Sequence, residues 1–227
     1  QENSEHLREA DSVGTNPPFT LFRENVAQLM EYEKKFLIIG NKNAITYKEV
    51  FPLIKDNKLW IGVTPMSTDL LFEFPSQSVE DVLQNGKRGS TYRIVDGRIL
   101  GRSPSIWFTN LDHNKRHEFM DLVCRYSPEE YPHYDNYDAI EVNKTADIPC
   151  NYPGVMGVPI TFLDKYNPEQ FEILGITDRG NEWGLKKKDY TIDDNPKFAD
   201  LNRRGAILLG GSLISTYARL LIRNKHP

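Results

Sequence analysis

Cysteine is almost missing from this sequence, and with it two routes to a stapled fold. Cys124 and Cys150 give neither a disulfide framework nor metal-ligand spacing, which points to a reducing, cytoplasmic setting. Long hydrophobic runs are missing as well: the apolar stretch 206–214 is far too short to cross a bilayer. No sign of charge dominates. The net charge of −4 argues against a protein that coats nucleic acid by bulk electrostatics. Phosphate-loop spacing is lacking around Gly154–Gly157 and Gly210–Gly211, and no Ser/His/Asp or Cys/His arrangement stands out. His113 and His117 have the i, i+4 spacing of a helical zinc site. Asn114 stands where the general base would be, however, and Lys115 and Arg116 oppose a cation, so a solvated helix start is expected and no metal.

What remains is an ordinary globular composition, 39% hydrophobic and 26% charged over 227 residues. A chain of that length buries roughly 70% of its unfolded surface, enough for one good core or two small ones. Charge is unevenly spread. Residues 87–102 hold Lys87, Arg88, Arg93, Arg98 and Arg102 against Asp96 alone, and residues 201–227 carry Arg203, Arg204, Arg219, Arg223 and Lys225 with no acid. Local patches decide nucleic-acid contacts, so DNA stays open as a partner. The chain starts at Gln1 within a charged stretch that reads as part of a helix, and a further upstream part is expected.

Residues 4–10 read as a helix end and Ser12-Val13-Gly14 as a short strand. Leu21, Phe22, Val26, Leu29 and Met30 recur on a helical stripe, with Thr20 as its cap. The apolar run Lys35–Gly40 suits a strand covered on both faces. Thr46-x-x-Glu49 reads as a capping box opening a helix that Pro52 must kink or split, and 58–63 reads as the next strand. This alternation over 11–63 predicts a parallel, doubly wound α/β sheet, whose ligands sit beyond the carboxyl ends of its strands. Farther on, 105–110 reads as a strand, 112–125 as a helix, Asn167-Pro168 with Gln170 as a helix start, and 171–176 as a strand.

Asn16-Pro17-Pro18-Phe19 follows the first strand directly. One reading is a proline-rich turn with Asn16 capping the next helix. The other is chemical. The amine of adenine is a poor nucleophile because its lone pair is delocalised into the ring. Two fixed acceptors, the Asn16 side-chain oxygen and the Pro17 carbonyl, can hold both amine hydrogens and aim that lone pair at a methyl donor. Consecutive prolines fix φ near −65° and remove two donors, so the loop presents carbonyls only. Phe19 offers a stacking face, worth roughly 1–3 kcal/mol per base.

Residues 64–105 break the alternating pattern and contain a hairpin signature. Asp96-Gly97 is a type I′ turn that pairs Val95 with Arg98, Ile94 with Ile99 and Arg93 with Leu100. Arg93 and Arg98 then share one face, and Tyr92, Ile94 and Ile99 the other. The arginine face is either solvated or a contact for phosphates and bases. The basic tail is a second candidate for DNA contact.

At Asn16–Phe19, Phe36–Asn41, Ala44–Glu49, Trp107–His113 and Gly157–Leu163 the chain resembles the EcoRI-type adenine-specific DNA methyltransferases. The resemblance implies a partial, Rossmann-like class I methyltransferase sheet with an irregular, hairpin-containing recognition region. It places a partial catalytic domain at 1–111, with a hairpin insertion at about 64–105, and a target-recognition region at 112–227. It implies a monomer that uses S-adenosylmethionine to methylate an adenine amine in double-stranded DNA, within a restriction-modification system and away from membranes. The catalytic tetrad falls on Asn16, Pro17, Pro18 and Phe19. The Gly-rich cofactor turn of such enzymes is absent here and is expected upstream of residue 1. Two alternatives remain: a DNA-binding remnant without catalysis, and a protein-glutamine methyltransferase, since N-P-P-aromatic loops serve that chemistry too.

Overall fold

The computed structural model describes residues 9–68, 70–178 and 183–227. The helix end expected at 4–10 falls for the most part outside them. The chain divides into two compact units. One holds the described residues as far as Lys42 together with Ile61–Thr109, and the other holds Asn43–Trp60 and Asn110–Pro227.

In chain order the first half runs β1 (Ser12–Thr15), α1 (Phe22–Glu31), β2 (Lys35–Asn41), α2 (Phe51–Lys55), β3 (Trp60–Ile61), β4 (Leu70–Glu73), α3 (Val79–Asn85), β5 (Tyr92–Val95), β6 (Arg98–Ser103) and β7 (Ser105–Thr109). β1 and β2 are parallel, with Val13 opposite Phe36 and Thr15 opposite Ile38. The helix between them buries Phe22, Val26 and Leu29, the i, i+4, i+7 stripe that the sequence carries. Phe22 lies against Phe108, with ring centroids 5.0 Å apart. Its ring also covers Gly40, where any Cβ would overlap it. A glycine at that position lets helix and strand close together.

The remainder of that sheet departs from the expected winding. Its order is β1-β2-β7-β3. β7 runs antiparallel to β2, pairing Phe108 with Ile38, and occupies the place a third parallel strand would take. β3 shrinks to two residues. β2 is covered mainly on one face: Phe36 and Ile38 are fully buried, while Leu37 and Ile39 are half-buried. The architecture is mixed α/β with several sheets. The capping box at Thr46 opens no helix, because Thr46 donates back to the Asn43 carbonyl at 3.0 Å within a 3-10 turn. The helix starts later, at Phe51, which puts Pro52 in the first turn where its missing N–H costs nothing.

A three-stranded sheet, β4-β6-β5, carries the predicted hairpin. Val95 pairs with Arg98, Ile94 with Ile99 and Arg93 with Leu100. Asp96 and Gly97 have φ of 50° and 76°, the two left-handed residues of a type I′ turn.

The second half adds β8 (Ile140–Glu141), β9 (Met156–Pro159), β10 (Phe171–Ile176), α4 (Phe198–Arg203), β11 (Ala206–Leu209), β12 (Ser212–Ser215) and β13 (Arg219–Asn224). Its main sheet runs β10-β13-β9-β8, and β11 and β12 form a separate hairpin. α2 packs on β10. Tyr134 and Tyr137 anchor a buried cluster with Val155, Ile207 and Leu221.

Two expected helices are absent here. Residues 114–117 make a single 3-10 turn, and the chain then runs irregularly to 125. The Gln170 side chain accepts from the Met120 N–H and donates to the Met120 carbonyl, both at 2.8 Å, taking that backbone out of helical pairing. Asn167 does accept the Glu169 N–H at 2.8 Å, as a cap would. Phe171 then enters β10, whose ladder with β13 wins over a helix.

Candidate active site

The Asn16–Phe19 loop leaves the carboxyl end of β1 and enters a 3-10 turn, Phe19–Leu21, that leads into α1. Pro17 is buried, while Asn16, Pro18 and Phe19 are exposed. Pro18 has φ −52° and ψ 137°, an extended conformation its ring favours. Its carbonyl accepts the Leu21 N–H at 2.9 Å and so closes the turn. Asn16 is therefore not the helix cap, and neither is Thr20: Leu21 stands at the start of α1 without a side-chain cap. Among the described residues, the Asn16 side-chain amide and the Pro17 carbonyl engage no hydrogen-bonding partner. Phe19 keeps 43% of its surface in solvent, whereas Phe22, three residues on, keeps 1%. Buried Pro17 thus anchors the loop, while the Asn16 side chain and the Phe19 ring stay exposed.

Arg93 and Arg98 lie on one face of the hairpin, on a different sheet from the loop. Arg98 meets Glu73 at 3.1 Å, and both side chains are largely exposed. Ile94 on the opposite face stays 44% exposed, so only Tyr92 of the expected packing face is buried.

His117 is engaged by a neighbouring carboxylate. His117 meets Asp112 at 2.8 Å, and Arg116 meets the same carboxylate at 2.9 Å. The His117 hydrogen bond above all holds the Asp112 carboxyl below its ordinary 3.8. Arg116 stacks 3.5 Å over the Trp60 ring. Among the described residues no group of acids, histidines and cysteines could hold a metal ion.

Sequence reasoning missed a buried charged network in the second unit. Glu141 Oε1 accepts from Arg219 Nε and Nη2 at 2.9 and 2.6 Å. Its other oxygen accepts from the Tyr134 hydroxyl. Burial, then the neighbouring Glu141 charge, pushes the Tyr134 phenol well above its usual value and keeps it a donor. No local pattern announces this triad.

A cradle for a methyl donor needs glycines that let a backbone turn close on it. The strand-to-helix connections at 16–18 and 74–75 contain no glycine, and among the described residues the long one from β10 to α4 contains Gly184 alone. Gly154 and Gly157 are filled by Tyr152 and Tyr134, and the open glycines lie in β1 or in turns. The described residues do not form a Gly-rich donor site.

Comparison with known proteins places the sequence in a family of DNA-modifying enzymes. The family model described as "Adenine-specific methyltransferase EcoRI" matches residues 1–225, and the chain belongs to that family. It is 48% identical over 196 residues to the type II methyltransferase M.EcoRI of Escherichia coli, covering 85% of this chain and 56% of that protein. M.MpnI of Mycoplasma pneumoniae is 39% identical over 171 residues, 74% of this chain and 52% of its own length. M.MgeORF184P of Mycoplasma genitalium is 40% identical over 176 residues, 76% and 54% respectively. The chain spans about half the length of these curated relatives. No solved structure matches. No described helix is long and apolar enough to cross a membrane.

Proposed function

We propose that this chain carries the catalytic loop and a DNA-contacting region of a restriction-modification enzyme that methylates the exocyclic amine of adenine in double-stranded DNA. The reading rests on one observation above all: two unengaged acceptors, the Asn16 side-chain oxygen and the Pro17 carbonyl, stand beside the half-exposed Phe19 ring. The target base is flipped from the duplex, at a cost of a few kcal/mol, and stacks on Phe19. Asn16 and Pro17 accept the two amine hydrogens and hold the lone pair in one direction. Alignment supplies the rate, because a preset geometry replaces the entropy that free reactants would lose.

S-adenosylmethionine is the donor in this reading and brings an already activated methyl group. The role given to Asn16, Pro17 and Phe19 is to position the amine. The sheet carrying the loop belongs to a Rossmann-like catalytic domain, residues 1–111, and 112–227 serves target recognition. Arg93 and Arg98 contact DNA from the hairpin face. Free Cys124 and Cys150 agree with a reducing cytoplasm.

The test is Asn16→Ala in the enzyme, assayed for methyl incorporation and for duplex retention side by side. Transfer is expected to vanish while retention stays near the parent's. Surviving methylation overturns the role given to Asn16.

A further inference from the structure

In the second unit, a cleft of about 540 Å³ opens where the 3-10 turn Lys42–Thr46, the segment 160–161, the end of α4 and the entry to β13 converge. Three guanidinium groups line it: Arg203, Arg204 and Arg219. One carboxylate, Asp178, lines it too and is matched by Arg204 in an ion pair. Arg219 is matched by Glu141 behind it, which leaves its Nη1 uncommitted among the described residues. Arg203 is different. It is exposed and has no anionic partner among the described residues. Side chains of Asn43, Thr46 and Thr161 add neutral polar groups, and Tyr217, 84% exposed, stands at the rim.

The arginine wall is held from behind. Asn136 is fully buried; its amide donates to the Leu201 and Arg204 carbonyls at 3.1 and 2.8 Å. Its side-chain oxygen accepts the Ala206 N–H at 2.8 Å. Thr177 brackets Arg219, donating its N–H to the Arg219 carbonyl and accepting the Arg219 N–H on its hydroxyl. An exposed cation without an anionic partner, in a polar-lined cleft that an aromatic side chain shares, suits a ligand that repeats anion and flat ring. A sugar–phosphate strand is such a ligand.

We infer that this cleft is a docking site for the sugar–phosphate backbone of a DNA strand, with Arg203 on a phosphate and Tyr217 against the adjoining deoxyribose or base. The inference rests on the DNA methyltransferase reading and adds a contact surface that the catalytic loop and the Arg93/Arg98 hairpin do not supply. Phosphate contacts position without reading sequence, so the site acts on every duplex alike.

Binding of the chain to a short fluorescein-labelled duplex is measured between roughly 50 and 200 mM salt, where each phosphate contact contributes about −0.9 to the log–log slope. Arg203→Ala is expected to shallow that slope by about one and to weaken binding roughly tenfold at the lower salt. Arg203→Lys keeps the charge and is expected to keep the slope, which separates a lost contact from a lost fold. Tyr217→Ala is expected to weaken binding several-fold at an unchanged slope, since the ring carries no charge. A parental slope in Arg203→Ala, or an equal loss in Arg203→Lys, overturns this inference and leaves the catalytic loop untouched. Failure of the unaltered chain to hold duplex DNA overturns the DNA-contacting region proposed above, and this site with it.

Discussion

Glu141 and Arg219 are paired inside the second unit, their side chains 1% and 11% exposed, though 78 positions separate them in the chain. β8 presents the carboxylate and β13 the guanidinium, with β9 between them in the sheet. Tyr134 completes the satisfaction of the carboxylate, and Gly157 leaves room for its ring, since a Cβ there would overlap the Tyr134 hydroxyl.

Breaking such a pair strands a buried charge. Arg219→Met is expected to cost about 3–5 kcal/mol in urea unfolding. Adding Glu141→Met should recover most of that loss, because two apolar groups leave no uncompensated charge. A double variant no better than the single one would show that Glu141 is solvated and not truly buried.

Phe19 is expected to matter for turnover far more than for stability. Phe19→Ala removes a stacking face worth roughly 1–3 kcal/mol, a loss of about 5- to 150-fold in kcat/KM for DNA methylation. Thermal melting should barely move, because nearly half the ring already sits in water. A large drop in melting temperature with unchanged kinetics would assign Phe19 to packing.

The hairpin arginines can be tuned without touching them. Glu73 sits 3.1 Å from Arg98 and competes with any phosphate for it. Glu73→Gln is expected to tighten duplex binding several-fold at low salt, an advantage that fades as salt rises. Unchanged affinity would remove Arg98 from the contact surface. Gly97→Ala should loosen the same hairpin by about 1–2 kcal/mol, since φ of 76° strains any Cβ, and amide exchange along β5 and β6 reports it.

Alkali provides a separate probe. Burial holds the Tyr166 phenol up to about 12, and likewise Tyr131, against 10.0 in an open chain. The folded form keeps these protons longer than the unfolded one, so their contribution is whole below pH 10. It is lost as pH climbs from 10 towards about 12. Ultraviolet titration of phenolate should show these rings ionising late, and Tyr166→Phe should soften the alkaline loss of stability.

Short-range chemistry was legible in the sequence and long-range pairing was not. The Asp96-Gly97 turn fixed a register to the residue because both φ values and the strand alternation are local properties. α1 and β2 were likewise readable from periodicity. β7 was recognised as a strand, but its insertion beside β2 depends on partners some 70 residues away. The helix expected at 112–125 failed because a single side chain, Gln170, captured the Met120 backbone. Asn16–Phe19 was singled out as a candidate from its chemistry together with its place between a strand and a helix. The arginine cleft could not, since its walls come from five separated stretches.

Two adjacent residues without an amide proton leave the centre of the candidate site silent in proton–nitrogen spectra. Occupancy of the loop by a nucleobase must therefore be followed through the carboxamide resonance of Asn16 or the ring signals of Phe19. Those two side chains are the natural reporters for watching a base arrive.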